Sequence, residues 1–98
     1  MTATHRRAKS TRGWGVAKPK STRDRAKTAK RCGQRAFMVN KGGEHKFPVM
    51  PRRGPRKLDC RGLREAKQRA SQHAKKYPGL KNRVHALAKR AGCRWAKG

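Results

Sequence analysis

Acidic side chains are nearly absent from this chain. Its 98 residues contain four aspartates and glutamates against 30 lysines and arginines, which gives a formal net charge of +26 at pH 7. Self-repulsion of this size opposes folding unless a partner supplies negative charge. Nucleic acid is the densest such partner in a cell, because duplex DNA carries one charge about every 1.7 Å along its axis. The imbalance therefore predicts a polyanionic partner.

Apolar and aromatic residues are also scarce. They make up 33% and 5% of the chain, and a core this small supplies only a few kcal/mol of stability. We therefore expect one small domain with a tail, which folds fully only inside an assembly. No apolar run approaches the roughly 18 residues that span a bilayer, so we expect no membrane partner.

The few acidic residues are too scattered to suggest catalysis. Asp24 lies in the N-terminal segment, Glu44 in a Gly-rich loop, and Asp59 and Glu65 in the first turns of a predicted helix. No pair looks placed for general acid–base chemistry. The Gly-Gly pair at 42–43 is too short to be a phosphate-binding loop. We expect no enzymatic activity, no cofactor and no small-molecule substrate.

The first 28 residues show no apolar periodicity. They are rich in Lys, Arg, Ser and Thr, contain one aromatic residue, Trp14, and repeat Lys-Ser-Thr-Arg at 9–12 and 20–23. Such a segment cannot bury enough surface to compensate for its loss of conformational entropy. Residues 1–28 are therefore predicted to be an extended basic arm that follows phosphates, with Trp14 stacked on a base or inserted into a protein pocket. A solvated low-complexity tail is the alternative.

Residues 29–98 are predicted to form a small domain that starts with a β-hairpin. Two short apolar runs bracket a Gly-Gly loop between residues 36 and 50, which predicts a hairpin over 36–50. Pro48 has no donor for the ladder, so the second run is an edge strand or extended chain. Residues 51–58 follow as a basic linker, in which proline holds the chain extended and the charges point outward.

Residues 59–95 are predicted to form an antiparallel helical hairpin. An apolar stripe with helical spacing runs over 63–77 and a second over 80–91. Asp59 can cap the first helix and Pro78 can stop it. The predicted fold class is small and mostly α, or α+β, with an extended basic N-terminal arm, a short β-hairpin and an antiparallel two-helix hairpin.

The predicted nucleic-acid contacts lie in the arm, the linker and the start of the first hairpin helix. These segments concentrate cations that can follow a phosphate backbone. No base-reading pattern stands out from the lysine and arginine background, so sequence-specific recognition is unsupported. The candidate contact residues are Arg6, Arg7, Lys9, Arg12, Trp14, Lys18, Lys20, Arg23, Arg25, Arg52, Arg53, Arg56, Lys57, Arg61 and Arg64.

The three cysteines have no C-x-x-C pair, which argues against a metal site on spacing alone. A helical hairpin would bring Cys60 and Cys93 to the same end, where a disulfide becomes possible. Intracellular redox conditions favour three free thiols, the second alternative, over this bond, unless the protein resides in an assembled particle. The third is a Cys3His zinc site, which would use Cys32, Cys60 and Cys93 with one of His45, His73 or His85.

Several short pieces together resemble a small module of virion proteins from large DNA viruses of eukaryotes, with looser kin among tailed-phage structural proteins. The pieces are Arg31–Phe37, Lys46–Val49, Asp59–Leu63 continuing to Arg69-Ala70, and Ala91–Cys93. The resemblance covers residues 30–95 and leaves the arm unmatched. It implies a non-enzymatic particle component, a minor capsid or core protein, packed against the genome or the inner shell surface.

Three functions follow as hypotheses. The first is a basic virion protein that binds nucleic acid, DNA more than RNA, largely non-specifically and packs on other structural proteins. The second is a ribosomal or organellar-ribosomal protein that binds ribosomal RNA. The third is a capsid-bridging protein whose charges meet acidic protein surfaces without nucleic-acid contact. We expect the protein in the virion, and in the host cytoplasm or nucleus during assembly, or on the ribosome under the second hypothesis.

Overall fold

The structure, a computed structural model, describes residues 2–97 and contains four α-helices and one two-stranded sheet within them. This confirms a small mixed α+β protein. Short 3₁₀ turns lie at Gln34–Ala36, Lys41–Gly43 and Arg94–Ala96. The helices and strands are α1 Trp14–Ala17, α2 Thr22–Cys32, β1 Phe37–Val39, β2 Lys46–Pro48, α3 Cys60–Gln72 and α4 Leu80–Arg90.

The predicted helical hairpin is confirmed, with α3 and α4 packed against each other. The Asp59 carboxylate accepts a hydrogen bond from the backbone N–H of Arg61 at 2.9 Å, which caps α3. Alanines on the inner face, Ala66 and Ala70, are buried and let the helices approach closely. Helix α3 ends at Gln72, earlier than the apolar stripe suggested, and residues 73–79 form turns.

The predicted β-hairpin is also confirmed. Strands β1 and β2 pair antiparallel, with Phe37 opposite Pro48 and Val39 opposite Lys46. The basic linker, residues 51–58, follows β2 without regular structure. Its ends are buried at Pro51 and Leu58, and the four cations between them are exposed, as the sequence predicted.

The N-terminal segment differs from its prediction, because residues 2–28 pack onto the domain instead of forming an extended arm. We call residues 2–8 the N-terminal strap, since they run across one end of the α3–α4 hairpin. Ala3 is only 4% exposed there. Backbone hydrogen bonds of 2.8 to 3.0 Å join Ala3 to Ala91, Thr4 to Leu58 and Cys60, and Arg6 to Arg94.

Trp14 supplies the apolar surface that orders the rest of this segment. It is 0% exposed, and its indole lies so close to Gly62 of α3 that a side chain there would overlap the ring. Ser21 then caps α2 by accepting a hydrogen bond from the Asp24 N–H at 3.0 Å. Helix α2 continues to Cys32 and so runs through the domain boundary predicted at residue 28.

Of the three alternatives for the cysteines, the structure shows the disulfide. Cys60, the first residue of α3, is bonded to Cys93 after α4, with 5.5 Å between their Cα atoms. Cys32 is a buried free thiol elsewhere in the core. The zinc alternative would need Cys60 and Cys93 as thiolates, and no metal-ligand cluster of three or more is found within residues 2–97.

Candidate nucleic-acid interface

Most lysines and arginines that the structure describes are not paired with a side-chain carboxylate. Each of the four carboxylates lies within 4.0 Å of at least one lysine or arginine, and these salt bridges use five of the 30 cations. Among residues 2–97, 25 lysines and arginines therefore have no side-chain carboxylate partner. The pairs are Lys18 and Arg69 with Glu65, Lys46 with Glu44, Arg52 with Asp24, and Arg61 with Asp59.

Most of the predicted contact residues are exposed, as a phosphate-binding role requires. They lie on the strap, on the turns around α1, on α2 and on the linker. Ten of the fifteen are exposed: Arg6, Arg7, Lys9, Arg12, Lys20, Arg23, Arg52, Arg53, Arg56 and Lys57. Of these, Arg52 is 3.7 Å from Asp24 and Arg6 Nε donates to the Gly92 carbonyl at 3.4 Å.

Four predicted contacts are half-buried and already have partners within the fold. Arg61 binds the buried Asp59 carboxylate through two nitrogens, at 3.0 and 2.8 Å, so its guanidinium is not available to phosphate. Lys18 donates to Glu65 at 2.9 Å. Arg25 donates through Nη1 to the His45 carbonyl at 3.2 Å, and Arg64 lies 5.6 Å from the centre of the Trp95 ring.

Trp14 is a correction to the predicted site. Its side chain is fully buried, between Gly62 and the Arg61 guanidinium, which lies 6.0 Å from the ring centre. A base cannot stack on a ring with no exposed face. Trp14 instead anchors residues 2–28 to α3, a structural role.

The structure also shows a concave site that the sequence analysis missed, which we call the basic groove. It lies between α2, β2 and α3 and has a volume of about 250 Å³. Its cations come from four separate parts of the chain and include three residues outside the predicted set, Lys46, Arg69 and Lys76. The groove is lined by Lys18, Arg25, Lys46, Phe47, Pro48, Glu65, Arg69, His73, Lys76 and Tyr77.

One carboxylate organises the α3 side of the groove. Glu65 Oε1 accepts from Lys18 Nζ at 2.9 Å and from Arg69 Nε at 3.3 Å. The three side chains keep a net charge of +1, and the carboxylate holds the two cations close together. The i, i+4 spacing of Glu65, Arg69 and His73 places all three on one face of α3 and its end, which is the only local sequence signal for this site.

An aromatic ring closes the other side of the groove. Tyr77 packs edge-to-face on Phe47, with 5.3 Å between ring centres, and the Lys76 ammonium lies over the tyrosine ring at 5.6 Å. Lys46 Nζ donates to the Tyr77 hydroxyl at 3.4 Å. Hydrogen bonds to Tyr77 and then to Glu44 raise the pKa of Lys46 above its ordinary value, so this ammonium stays charged at neutral pH.

No helix within residues 2–97 is both long enough and apolar enough to cross a membrane.

Comparisons with other proteins place no further constraint on this surface. No family model, no curated protein and no solved structure matches this chain.

Proposed function

We propose that this chain is a non-enzymatic basic protein that binds nucleic acid, largely without sequence specificity. The observation that carries the proposal is the charge pairing. All four side-chain carboxylates are paired inside the fold, and 25 cations of residues 2–97 have no such partner. A surface with this excess attracts polyanions. Lysine and arginine bind phosphates without reading bases, which is the basis of non-specific binding.

The size and the charge of the molecule fit neutralisation of a duplex. Its longest dimension is 36 Å, and a duplex of that length carries about 21 phosphate charges. The net charge of +26 is of the same order. One chain laid along DNA therefore has enough charge to neutralise the stretch that it covers, which favours a packing role over sequence reading.

We further propose that the protein is a minor capsid or core component of a virion and that DNA is its preferred nucleic acid. The support is the resemblance of residues 30–95 to virion modules. In such a particle the α3–α4 hairpin would pack on other structural proteins, while the linker and the exposed cations of residues 6–23 contact DNA.

Binding across a salt series tests this proposal. The purified chain is titrated with duplex DNA, duplex RNA and single strands between about 0.05 and 0.2 M salt, a range over which six to ten phosphate contacts cost roughly 10³- to 10⁵-fold in affinity. We expect steeply salt-dependent binding to all three. A marked preference for structured RNA would replace the proposal with the ribosomal role, and no binding at moderate salt would leave only a protein-bridging role.

A variant of the linker tests where the duplex lies. Changing Arg52, Arg53, Arg56 and Lys57 to Gln should reduce the slope of log K against log salt by about 0.9 for each phosphate that the linker no longer binds. The charge-matched control changes four exposed cations of the helical hairpin, Lys75, Lys81, Lys89 and Arg90, to Gln. Equal reductions in the two variants would contradict a specific role for the linker.

A further inference from the structure

The basic groove is a concave site of about 250 Å³ between α2, β2 and α3. A second basic concavity of about 330 Å³ lies beside the strap, but no aromatic ring lines it, so the groove is distinguished by Tyr77. The phosphates of a duplex lie on the outside of a rod, so they reach an open surface far more easily than the floor of such a cavity. An unpaired strand can turn one nucleotide inward, because its bases are not held by pairing.

The charges of the groove favour a phosphate ligand. Five lysines and arginines line it against one carboxylate, Glu65, and that carboxylate is shared by Lys18 and Arg69. On the opposite side Lys46 Nζ donates to the Tyr77 hydroxyl at 3.4 Å and lies 3.3 Å from the exposed Glu44 carboxylate. A phosphate entering between these two sides meets cations whose positions are already set, which lowers the entropic cost of ordering them.

Tyr77 gives the groove a surface for a base. Its ring is half-buried and forms a T-shaped pair with Phe47. The ammonium of Lys76, an exposed side chain on a flexible stem, lies over the ring at 5.6 Å. A nucleobase can displace that ammonium and stack on the ring, and Lys76 can then turn to the phosphate. Stacking on tyrosine tolerates every base, so it adds affinity without sequence specificity.

From these observations we propose that the basic groove binds one nucleotide of an unpaired nucleic-acid strand, with the phosphate between Lys18, Lys46 and Lys76 and the base on Tyr77. The inference rests on the proposed function and adds a second binding mode to it. Duplex DNA uses the outer cations, whereas a single strand uses the outer cations and the groove.

The test compares one single strand with a duplex of equal length. The probe is an oligothymidylate of about 12 nucleotides, within the usual range of single-strand sites, carrying a central 2-aminopurine as a fluorescent stacking reporter. Tyr77→Leu should weaken binding of the strand by about 5- to 100-fold and abolish the change in 2-aminopurine fluorescence. Tyr77→Phe keeps the ring and should retain both. Binding of the duplex should change by less than about twofold in both variants.

A charge-matched pair separates the groove from general electrostatics. Lys46→Gln with Lys76→Gln should weaken the strand more than the duplex, whereas Lys27→Gln with Lys81→Gln, which changes two exposed lysines outside the groove, should weaken both alike. Glu65→Gln removes the carboxylate that lines the groove and should strengthen binding of the strand more than binding of the duplex. Misfolding or the added positive charge would act on both ligands, so a gain confined to the strand tests the site even if Tyr77→Leu unfolds the chain.

Each outcome supports or overturns one of the two proposals. If the native chain binds duplex but the groove variants affect strand and duplex equally, the groove inference is wrong and the proposed function stands. If thymidine 5′-monophosphate displaces the oligonucleotide when its concentration equals that of the oligonucleotide counted per nucleotide, the ligand is a free nucleotide and the strand assignment is wrong. If the native chain binds neither nucleic acid, the proposed function fails and the groove inference fails with it.

Discussion

Substituting Gly62 by alanine tests whether the N-terminal segment is packed on the domain. Glycine within a helix normally costs about 1 kcal/mol relative to alanine, so Gly62→Ala in an isolated α3 would stabilise the helix. In the structure a Cβ at this position would lie 2.5 Å from Cζ2 and 2.8 Å from both Cε2 and Cη2 of Trp14. We therefore expect the substitution to destabilise the protein.

The size of the effect follows from this overlap. Carbon atoms pack at about 3.5 to 4.0 Å, so the indole must retreat by roughly 1 Å. Trp14 is fully buried, and overpacking a buried site typically costs about 1 to 3 kcal/mol. For a domain of this size each kcal/mol lowers the melting temperature by about 4 to 8 °C.

The assay is thermal and urea unfolding followed by circular dichroism, with Gly15→Ala as the matched control. Gly15 lies in α1, is exposed, and a Cβ there would contact nothing within 4 Å. That substitution should be neutral or stabilising by up to about 1 kcal/mol. If both variants shift the midpoint upward, Trp14 does not pack on α3, and residues 1–28 form the free arm that the sequence predicted.

Three further predictions concern the disulfide and the net charge. Replacing Cys60 and Cys93 by alanine should lower the free energy of unfolding by about 4 kcal/mol, since the bond closes a loop between residues 33 apart. Unfolding with and without reductant measures this, with Cys32→Ala as the control, and an equal loss of stability in the control would contradict this reasoning. Charge balance with duplex DNA should occur near one chain per 13 base pairs, since each pair carries about two charges and the chain carries +26; light scattering should peak there, and a peak at a much higher protein ratio would mean that many of the cations do not reach the DNA. Raising the salt concentration should raise the urea midpoint, because it screens repulsion over roughly 10 Å; a falling midpoint would mean that the salt bridges outweigh the repulsion.

The two hairpins were predictable because their signals are local. A Gly-Gly loop between short apolar runs is sufficient for the β-hairpin, and alanines at helical spacing are sufficient for α3. The disulfide was one of three alternatives, because its geometry depends on the helices being antiparallel. Once Cys60 begins one helix and Cys93 follows the other, the two lie at the same end.

The N-terminal segment could not be predicted in the same way. Its charge density matches that of disordered chains, and a lone tryptophan between two glycines looks the same in a tail as in a core. The deciding residue is Gly62, distant in sequence, whose missing side chain makes room for the indole. Helix α2 was missed although its arginines, lysines and alanines favour helix and Ser21 caps it, because the segment shows no apolar periodicity that would mark a packed face.

The basic groove was missed for a related reason. Lys18, Lys46, Arg69 and Tyr77 come from four segments, and each is surrounded in the sequence by other cations. In so basic a chain a lysine carries no information by itself about where it will lie. Only the folded structure, in which β2 packs on α3 and Arg25 of α2 lies beside them, brings these cations around one concave site.

The placement of the few carboxylates connects the fold with the proposed function. Asp59 caps α3 and fixes Arg61, Glu65 ties Lys18 to α3, and Asp24 reaches Arg52 of the linker. Three of the four acids thus hold together parts of the fold, and none is left to neutralise the exposed cations. Compensation of the outer charge cannot come from within the chain, and this is the basis for proposing a polyanionic partner. Repulsion within a chain of net charge +26 opposes folding, and two features counteract it: the Cys60–Cys93 disulfide links the two ends of the helical hairpin, and the burial of Trp14 against α3 holds the N-terminal segment.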